Sequence, residues 1–271
     1  MSYKEYAISA MLAKFAYSDP ETLSDLWFKM RDSKRDTFSN IFKDIREIPE
    51  FYSDSKTGAQ AFSIVREGAL VFVFRGTSEA QDIIINLNVK RVPYLNKPML
   101  VHAGFLEQFE SLKLALVKTV EKYSGKVEKI LCVGHSLGGA LATLASGHFG
   151  SLYNGKLPVT CHTFGSPRVG NVAYSEWFSR QVAVHVRITN ELDPVSQMPI
   201  SHRFQHCSDA MCIKDDLTVS SVPDTKWYWR VLRFKSNCCF PVLAHTCDQY
   251  IDRMVKLYKE TNLELRNESL M

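Results

Sequence analysis

Residues 130–142 read ILCVGHSLGGALA, and the organisation of the chain follows from this stretch. Its first four residues are apolar and predict a short buried strand, while the small residues after Gly138 predict a helix. The letters GHSLG between them match the G-x-S-x-G pattern of a nucleophile elbow, which places Ser136 at the apex of a sharp turn. The stretch therefore predicts a reactive serine, with an ordinary glycine-rich turn as the alternative.

Such a turn needs glycine on both sides of the serine. The flanks come close together, and Gly134 and Gly138 carry no Cβ atom that would clash there. A helix that begins directly after Ser136 also aims free N–H groups and the positive end of its dipole at the reacting centre. His135 lies inside the elbow, and we expect it to point away from the serine and to form a local hydrogen bond.

The length is enough for one sizeable α/β domain, and the composition is ordinary for a globular protein. The chain has 271 residues, of which 45% are hydrophobic, and a formal net charge of +4 with dispersed Lys and Arg residues. We expect a single domain over residues 1–271, with residues 1–44 as an N-terminal helical extension. The dispersed charge does not indicate a nucleic-acid partner, and no apolar stretch is long enough to span a bilayer.

The first residues and the cysteines predict an intracellular protein. The start, MSYKEYAISAMLAKFAYSDP, lacks the continuous apolar run of a signal peptide and is typical of an amphipathic helix. The seven cysteines are irregularly spaced and do not resemble the disulfide framework of a secreted domain. We therefore expect a cytoplasmic location or one peripheral to an intracellular membrane. Zinc binding is the alternative to reduced free thiols for four cysteines late in the chain, although no C-x-x-C spacing supports it. These cysteines are Cys207, Cys212, Cys238 and Cys239.

Strands alternate with helices along most of the chain. This alternation predicts an α/β fold with a mostly parallel central sheet flanked by helices. In such a sheet the chemistry gathers at the carboxyl ends of the strands. The predicted strands are 45–52, 60–66, 70–74, 130–133, 159–164 and 182–188, with an edge strand at 203–213, and the predicted helices are 1–17, 20–44, 102–123, one after residue 136, 172–180 and 248–258.

A serine nucleophile needs a histidine base, which in turn needs an orienting carboxylate. The elbow fold places these residues in the chain order Ser, Asp, His. Asp193 is the best acid candidate, because it closes a predicted central strand and Pro194 then stops the ladder. Other aspartates before the last histidine follow no clear buried strand: Asp209, Asp215, Asp216 and Asp224.

His245 is the best candidate for the base, because it is the last histidine and precedes the final predicted helix. His202 and His206 compete with it, although they follow the acid by only a few residues. A structural role is expected for the histidines that fall in a predicted helix or in predicted strands: His148, His162 and His185.

The negative oxygen that develops when a serine attacks a carbonyl group needs backbone N–H groups that already point at it. Leu137 follows the nucleophile and supplies one such group. Thr77, on the loop after the strand at 70–74, supplies a second, and its hydroxyl is a further donor.

Five segments in this order resemble the class 3 lipases, the fungal-type lipase family of the α/β-hydrolase fold. They are FRGTS at 74–78, VHAGF at 101–105, VGHSLGGALA at 133–142, TFGSPRVGN at 163–171 and TNELDPV at 189–195. The resemblance implies the triad Ser136, Asp193 and His245, with an oxyanion hole from Thr77 and Leu137. It also implies that His206 is the structural histidine of the strand after the acid.

The resemblance implies a serine ester hydrolase that cleaves carboxylic esters of lipids, such as acylglycerols, through an acyl-Ser136 intermediate. It implies a lipid ester substrate and no metal or organic cofactor, and it allows peripheral contact with a membrane or lipid-droplet surface. A phospholipase A1 and a soluble-ester esterase are alternatives within the enzyme class. A catalytically silent lipase-like scaffold is the alternative outside it.

In lipases of this family the segment after Thr77 is the lid, which covers the serine in water and turns outward on lipid. The lid candidates of this chain are Ile83, Ile84, Ile85, Leu87 and Val89, and a helix packed in the core is the alternative. Three isoleucines stand where the family has a tryptophan beside Asp82, and Tyr250 is a displaced aromatic after the last histidine. KWYWRVLRFK at 226–235 is a second candidate for lipid contact, with a segment supporting His245 as its alternative.

Overall fold

The computed structural model describes residues 2–19, 21–22, 48–77, 89–95, 98–153, 155–223 and 242–268. Among these residues, no helix is both long enough and apolar enough to cross a bilayer.

One eight-stranded sheet and one separate strand pair are formed by the described part of the chain. The strands are β1 Glu50–Ser53, β2 Gln60–Arg66, β3 Ala69–Phe74, β4 Arg91–Pro93, β5 Leu100–His102, β6 Lys129–His135, β7 Val159–Phe164, β8 Val184–Asn190, β9 Ala210–Ile213 and β10 Val219–Val222. The order in the large sheet is β1-β2-β3-β6-β7-β8-β9-β10. The five strands from β3 to β9 run parallel, and the outer pairs β1–β2, β2–β3 and β9–β10 are antiparallel. A separate antiparallel pair is formed by β4 and β5.

Helices cover both faces of this sheet. They are α1 Tyr3–Phe15, α2 Ala103–Tyr123, α3 Leu137–Tyr153, α4 Val172–Gln181 and α5 Cys247–Glu268. Side chains of α2, α3 and α4 share one hydrophobic core with one face of the strands, and side chains of α1 and α5 share a second core with the other face. Strand β3, ALVFVF, is buried at every position because alternate residues enter the two cores.

The parallel register brings the functional loops to one edge of the sheet. Phe74 at the end of β3 pairs with Gly134 at the end of β6, and Phe164 at the end of β7 pairs with Ile188 in β8. The loop that carries Thr77, the elbow and the loop after β8 therefore begin side by side. This arrangement confirms the predicted α/β-hydrolase fold with its mostly parallel sheet.

Several elements differ from their predictions at the end of the chain. The predicted edge strand at 203–213 is wrong, since only Ala210–Ile213 forms a strand and β10 covers its outer side. Strand β10 has the sequence VSSV and is only partly buried, so it lacks the apolar run that would predict it. The last helix ends at Glu268 rather than at residue 258.

Helix α1 belongs to the core. Its side chains from Ala7 to Ala13 are buried, and they pack with Tyr250, Met254 and Leu257 of α5 and with the sheet. Ser2 accepts a hydrogen bond from the N–H of Glu5 and caps its first turn. Residues 23–44, the remainder of the predicted extension, lie outside the described residues, and the single-domain assignment stays a prediction.

Candidate active site

Ser136 lies between the last residue of β6 and the first residue of α3, with φ of 59°. A non-glycine residue in this left-handed region is strained, and two backbone hydrogen bonds hold it there. Its N–H donates to Phe164 O at 2.9 Å, and its carbonyl accepts from the N–H of Gly139 at 2.9 Å. The strand-to-helix turn is therefore the tight elbow that the motif predicts.

The two elbow glycines are required by contact distances. A Cβ atom on Gly134 would lie 2.1 Å from Gly138 O, and one on Gly138 would lie 2.2 Å from Phe74 O. Real Cβ atoms do not approach backbone this closely, so no other residue fits without moving the turn. The second contact also shows that the elbow packs directly on the end of β3.

Asp193 lies in the loop after β8 and is fully buried. Its Oδ1 accepts hydrogen bonds from the N–H groups of Val195 at 2.8 Å and Ser196 at 3.4 Å. The same carboxylate lies 2.9 Å (Oδ2) and 3.0 Å (Oδ1) from Nδ1 of His245. Several donors thus hold this carboxylate in place, and from there it orients the imidazole.

His245 ends a short 3₁₀ turn, Val242–His245, directly before α5. Since its Nδ1 donates to Asp193, its Nε2 is the nitrogen available to exchange a proton. Both Nε2 and Ser136 Oγ are buried, and neither has a hydrogen-bond partner in the described part of the chain. These are the two atoms between which a serine hydrolase transfers a proton, and such bonds often form only in the substrate complex.

Tyr250 is a functional neighbour that the sequence analysis did not assign to the triad. Its hydroxyl donates to Asp193 Oδ2 at 2.5 Å and accepts from the N–H of Asn190 at 3.0 Å. Burial, followed by the charge of Asp193, raises the pKa of Tyr250 well above its usual value. The hydroxyl therefore stays protonated and keeps donating to the carboxylate. In the sequence, the position of this tyrosine shortly after the last histidine, on the first turn of α5, was the feature that could have indicated its role.

Gly165 makes room for the paired acid and base. It has φ of 57°, and a Cβ atom on it would lie 2.5 Å from Asp193 Oδ2 and 3.0 Å from His245 Nδ1. Its N–H donates to Ile188 O at 3.0 Å, which fixes the loop after β7. This glycine belongs to the segment GSPR, whose sequence does not indicate that it faces the triad.

The predicted oxyanion residues lie on adjacent loops. Leu137 begins α3, directly after the nucleophile, and Thr77 follows the end of β3. A Cβ atom on Gly76, the neighbour of Thr77, would lie 2.6 Å from His135 O, so this loop packs against the elbow. The loop that leads to Thr77 is thus packed on the elbow that leads to Leu137, and the role of these two residues at the oxyanion stays a prediction.

His135 does not form the local hydrogen bond that we expected. Its Nε2 lies 2.6 Å from the carbonyl oxygen of His245, more than a hundred residues away, and its Nδ1 lies 2.8 Å from the hydroxyl of Tyr17. Its ring also stacks on that of His245, with centroids 4.6 Å apart. The expectation failed because the end of a parallel strand meets the loops of distant elements.

The competing histidines are placed away from the triad. His206 Nε2 lies 2.9 Å from Ser196 O, where it supports the loop after Asp193, and His202 is exposed. His162 and His185 contact serine hydroxyls of Ser9 and Ser208 at 2.9 and 3.0 Å.

The competing aspartates in the described part of the chain are solvent-facing. Asp215 pairs with Arg253, Asp216 accepts from Thr218, and Asp209 is exposed. Asp224 lies outside the described residues.

Comparison with known proteins identifies this arrangement. The model of the class 3 lipases matches residues 71–202, which contain most of β3, the elbow and Asp193. A secreted mono- and diacylglycerol lipase from Fusarium solani is 32% identical over 203 residues, covering 70% of this chain and 60% of that protein. The chain belongs to the class 3 lipase family.

Other proteins similar to this chain include a phospholipase and a lipase of known structure. A chloroplastic phospholipase A(1) from Arabidopsis thaliana is 27% identical over 149 residues, which is 48% of this chain and 33% of that protein. The structure of lipase II from Rhizopus niveus superposes with a TM-score of 0.75 at 22% identity, covering 90% of this chain and 92% of that one. This chain therefore spans less than two thirds of the two curated relatives, and the solved structure has the same fold.

The predicted cytoplasmic or intracellular peripheral location is wrong. The relative from Fusarium solani, whose match covers 70% of this chain, is a secreted lipase. The prediction depended on the first residues and on the cysteine spacing. Neither property determines the compartment of a protein with this fold.

Most lid candidates lie outside the described residues: Ile83, Ile84, Ile85 and Leu87. Val89 is described and is 57% exposed. Residues 226–235 also lie outside the described ranges, so both candidates for lipid contact stay predictions. Within those ranges, no group of three or more His, Cys, Asp or Glu side chains could hold a metal ion.

Proposed function

We propose that this protein is a serine ester hydrolase that cleaves carboxylic esters of lipids. The observation that carries the proposal is the buried pair of His245 Nδ1 and the Asp193 carboxylate, 2.9 Å apart, beside a serine held in the strained elbow. Ser136, His245 and Asp193 are the nucleophile, the base and the orienting acid of the proposal.

The reaction proceeds through an acyl-enzyme. Ser136 Oγ attacks the ester carbonyl carbon while His245 Nε2 takes its proton, and Asp193 stabilises the resulting imidazolium. The N–H groups of Thr77 and Leu137 bind the negative oxygen of the tetrahedral intermediate. The intermediate collapses, and His245 returns the proton to the departing alcohol. A water molecule, deprotonated by His245, then cleaves the acyl-Ser136 ester and releases the fatty acid.

Acylglycerols are the proposed substrates. The Fusarium relative, whose similarity extends over 70% of this chain, is a mono- and diacylglycerol lipase. Phospholipase A1 activity is the second candidate, supported by the shorter match to the Arabidopsis phospholipase.

A lipid extract distinguishes these candidates. Wild-type protein and Ser136→Ala are each incubated with a mixed extract of acylglycerols and phospholipids, and the lost esters are measured by mass spectrometry. We expect diacylglycerol and monoacylglycerol to disappear only with the wild type. Loss of the sn-1 chain of phospholipids alone would favour the second candidate. Equal hydrolysis by Ser136→Ala, or none by the wild type, would contradict an esterase centred on Ser136.

We further propose that the triad edge of the molecule contacts a lipid surface. Leu192 precedes Asp193 and is 39% exposed, and Leu243 lies two residues before His245 and is 75% exposed. Exposed leucines beside a lipid-hydrolysing site provide apolar area for such contact. Leu243→Ser should lower activity on emulsified diacylglycerol several-fold and leave a soluble ester unaffected. Leu114→Ser, at an exposed leucine of α2, is the control. Equal loss on both substrates would argue against surface contact.

A further inference from the structure

Two hydrogen bonds through His135 connect Tyr17 in the N-terminal segment to the backbone of the predicted base, His245. Tyr17 lies in the turn after α1, and its hydroxyl is 2.8 Å from His135 Nδ1. His135 Nε2 is 2.6 Å from the carbonyl oxygen of His245. The three residues come from the N-terminal segment, the elbow strand and the last loop before α5.

The chemistry of the groups fixes the direction of these hydrogen bonds. A carbonyl oxygen can only accept, so His135 Nε2 must carry a proton and donate to His245 O. In the neutral imidazole, Nδ1 is then an acceptor, and the hydroxyl of Tyr17 must donate to it. Tyr17 thereby selects the one neutral tautomer of His135 that can hold the backbone of His245.

Neutral His135 is also what the base needs beside it. The two imidazole rings stack at 4.6 Å with an interplanar angle of 30°, and His245 becomes a cation during the proposed reaction. A second cation at this distance would oppose that step. Burial, followed by the proximity of His245, lowers the pKa of His135 well below its ordinary value, so its ring stays neutral.

The same hydroxyl touches the loop of the predicted oxyanion residue. A Cβ atom on Gly76 would lie 2.2 Å from the oxygen of Tyr17, so the two are in close contact. Gly76 precedes Thr77, whose N–H is the proposed oxyanion donor. The hydroxyl of Tyr17 is thus packed between the oxyanion loop and the histidine that holds the base.

We propose that Tyr17 is a positioning residue that, through His135, aligns the loop of the base with the loop of the oxyanion donor. The proposal rests on the proposed function, because it concerns the geometry of that reaction. Tyr17 does not touch the reacting atoms, and its effect appears in turnover rather than in substrate binding.

The test is Tyr17→Phe, which removes only the hydroxyl and keeps the ring. Turnover is measured on the soluble ester p-nitrophenyl butyrate and is divided by the number of active sites titrated with a fluorophosphonate. We expect kcat per titrated site to fall about 5- to 10-fold, with KM within about twofold, as for the loss of one buried hydrogen bond. Tyr6→Phe, another tyrosine of the N-terminal segment, is the matched control and should keep wild-type turnover; its ring meets His162 rather than His135.

A double mutant shows whether Tyr17 aligns the active site through His135 or only stabilises the fold. In a His135→Asn background, Tyr17→Phe should change kcat by less than about twofold, because both substitutions break the same line of contacts. Multiplicative effects would overturn the proposal, and so would a lower Tm with unchanged kcat per titrated site. If Ser136→Ala remained active, the proposed function itself would be contradicted. A Ser136-dependent enzyme with an unaffected Tyr17→Phe variant would refute only this inference.

Discussion

At the scale of single residues, Gly165 has no room for a side chain. It combines φ of 57° with the acid and the base on its open side. An alanine here would be strained in the left-handed region and would also press its Cβ on Asp193 Oδ2. The space at this glycine is therefore part of the triad's geometry.

We predict that Gly165→Ala lowers kcat on a soluble ester by about 100-fold, since a displacement of roughly 1 Å in an active site has effects of this size. Gly125→Ala is the matched control: Gly125 has φ of 77°, and a Cβ atom added to it would have no neighbour within 4 Å. The control should lose a similar amount of stability from backbone strain and keep its turnover. Equal turnover in the two variants would contradict the assigned contact.

Sequence reasoning found the residues that motifs mark and missed those that only space brings together. Ser136 and Asp193 are marked by a glycine pattern and by a proline at the end of a strand. The roles of Tyr250 and His135 depend on where their side chains point at the crowded edge of the sheet. Spacing along the chain does not encode that direction, so the structure was needed to find their contacts.

At the scale of elements, the apolar strands were predictable and the polar ones were not. Strands β2 and β7 have the bounds that their sequence predicts, because they are apolar runs between turn signals. Strand β10 is short and polar, and it is held by pairing with β9 rather than by its own propensity. Helix α1 was predicted correctly in position, and its packing into the core could not be read from its periodicity.

We predict that α1 contributes to the stability of the whole fold. Ile8 is 2% exposed in the core shared by α1 and α5, so Ile8→Ala should lower the free energy of unfolding by about 2–5 kcal/mol. Lys4→Ala, on the exposed side of the same helix, should change it by less than about 0.5 kcal/mol. Urea unfolding followed by circular dichroism measures both. An Ile8→Ala effect as small as that of Lys4→Ala would mean that α1 is only an appendage.

At the scale of the whole molecule, buried neutral histidines make the fold sensitive to acid. Burial lowers the pKa of His162 to about 4 and that of His185 to about 3. The unfolded chain binds protons at these histidines below pH of about 6.5, whereas the folded chain does not. Their contribution to stability is therefore complete above that pH and is lost as the pH falls toward the folded-state values.

We predict that the free energy of unfolding falls by about 2–3 kcal/mol for each of these histidines between pH 6.5 and roughly 4.5, at about 1.4 kcal/mol per pH unit. Urea unfolding at a series of pH values measures the slope. His162→Gln should flatten it, and His202→Gln, at an exposed surface histidine, should not. A slope that is identical in the wild type and His162→Gln would exclude His162 as a source of the acid sensitivity.

Covalent labelling determines whether Ser136 is the nucleophile of an assembled triad. Folded wild-type protein is treated with a fluorophosphonate, digested and analysed by peptide mass spectrometry. We expect one phosphonate adduct, on the peptide that contains Ser136, with no label in Ser136→Ala and much slower labelling in His245→Gln. An adduct on another residue, or no adduct on folded wild-type protein, would contradict it.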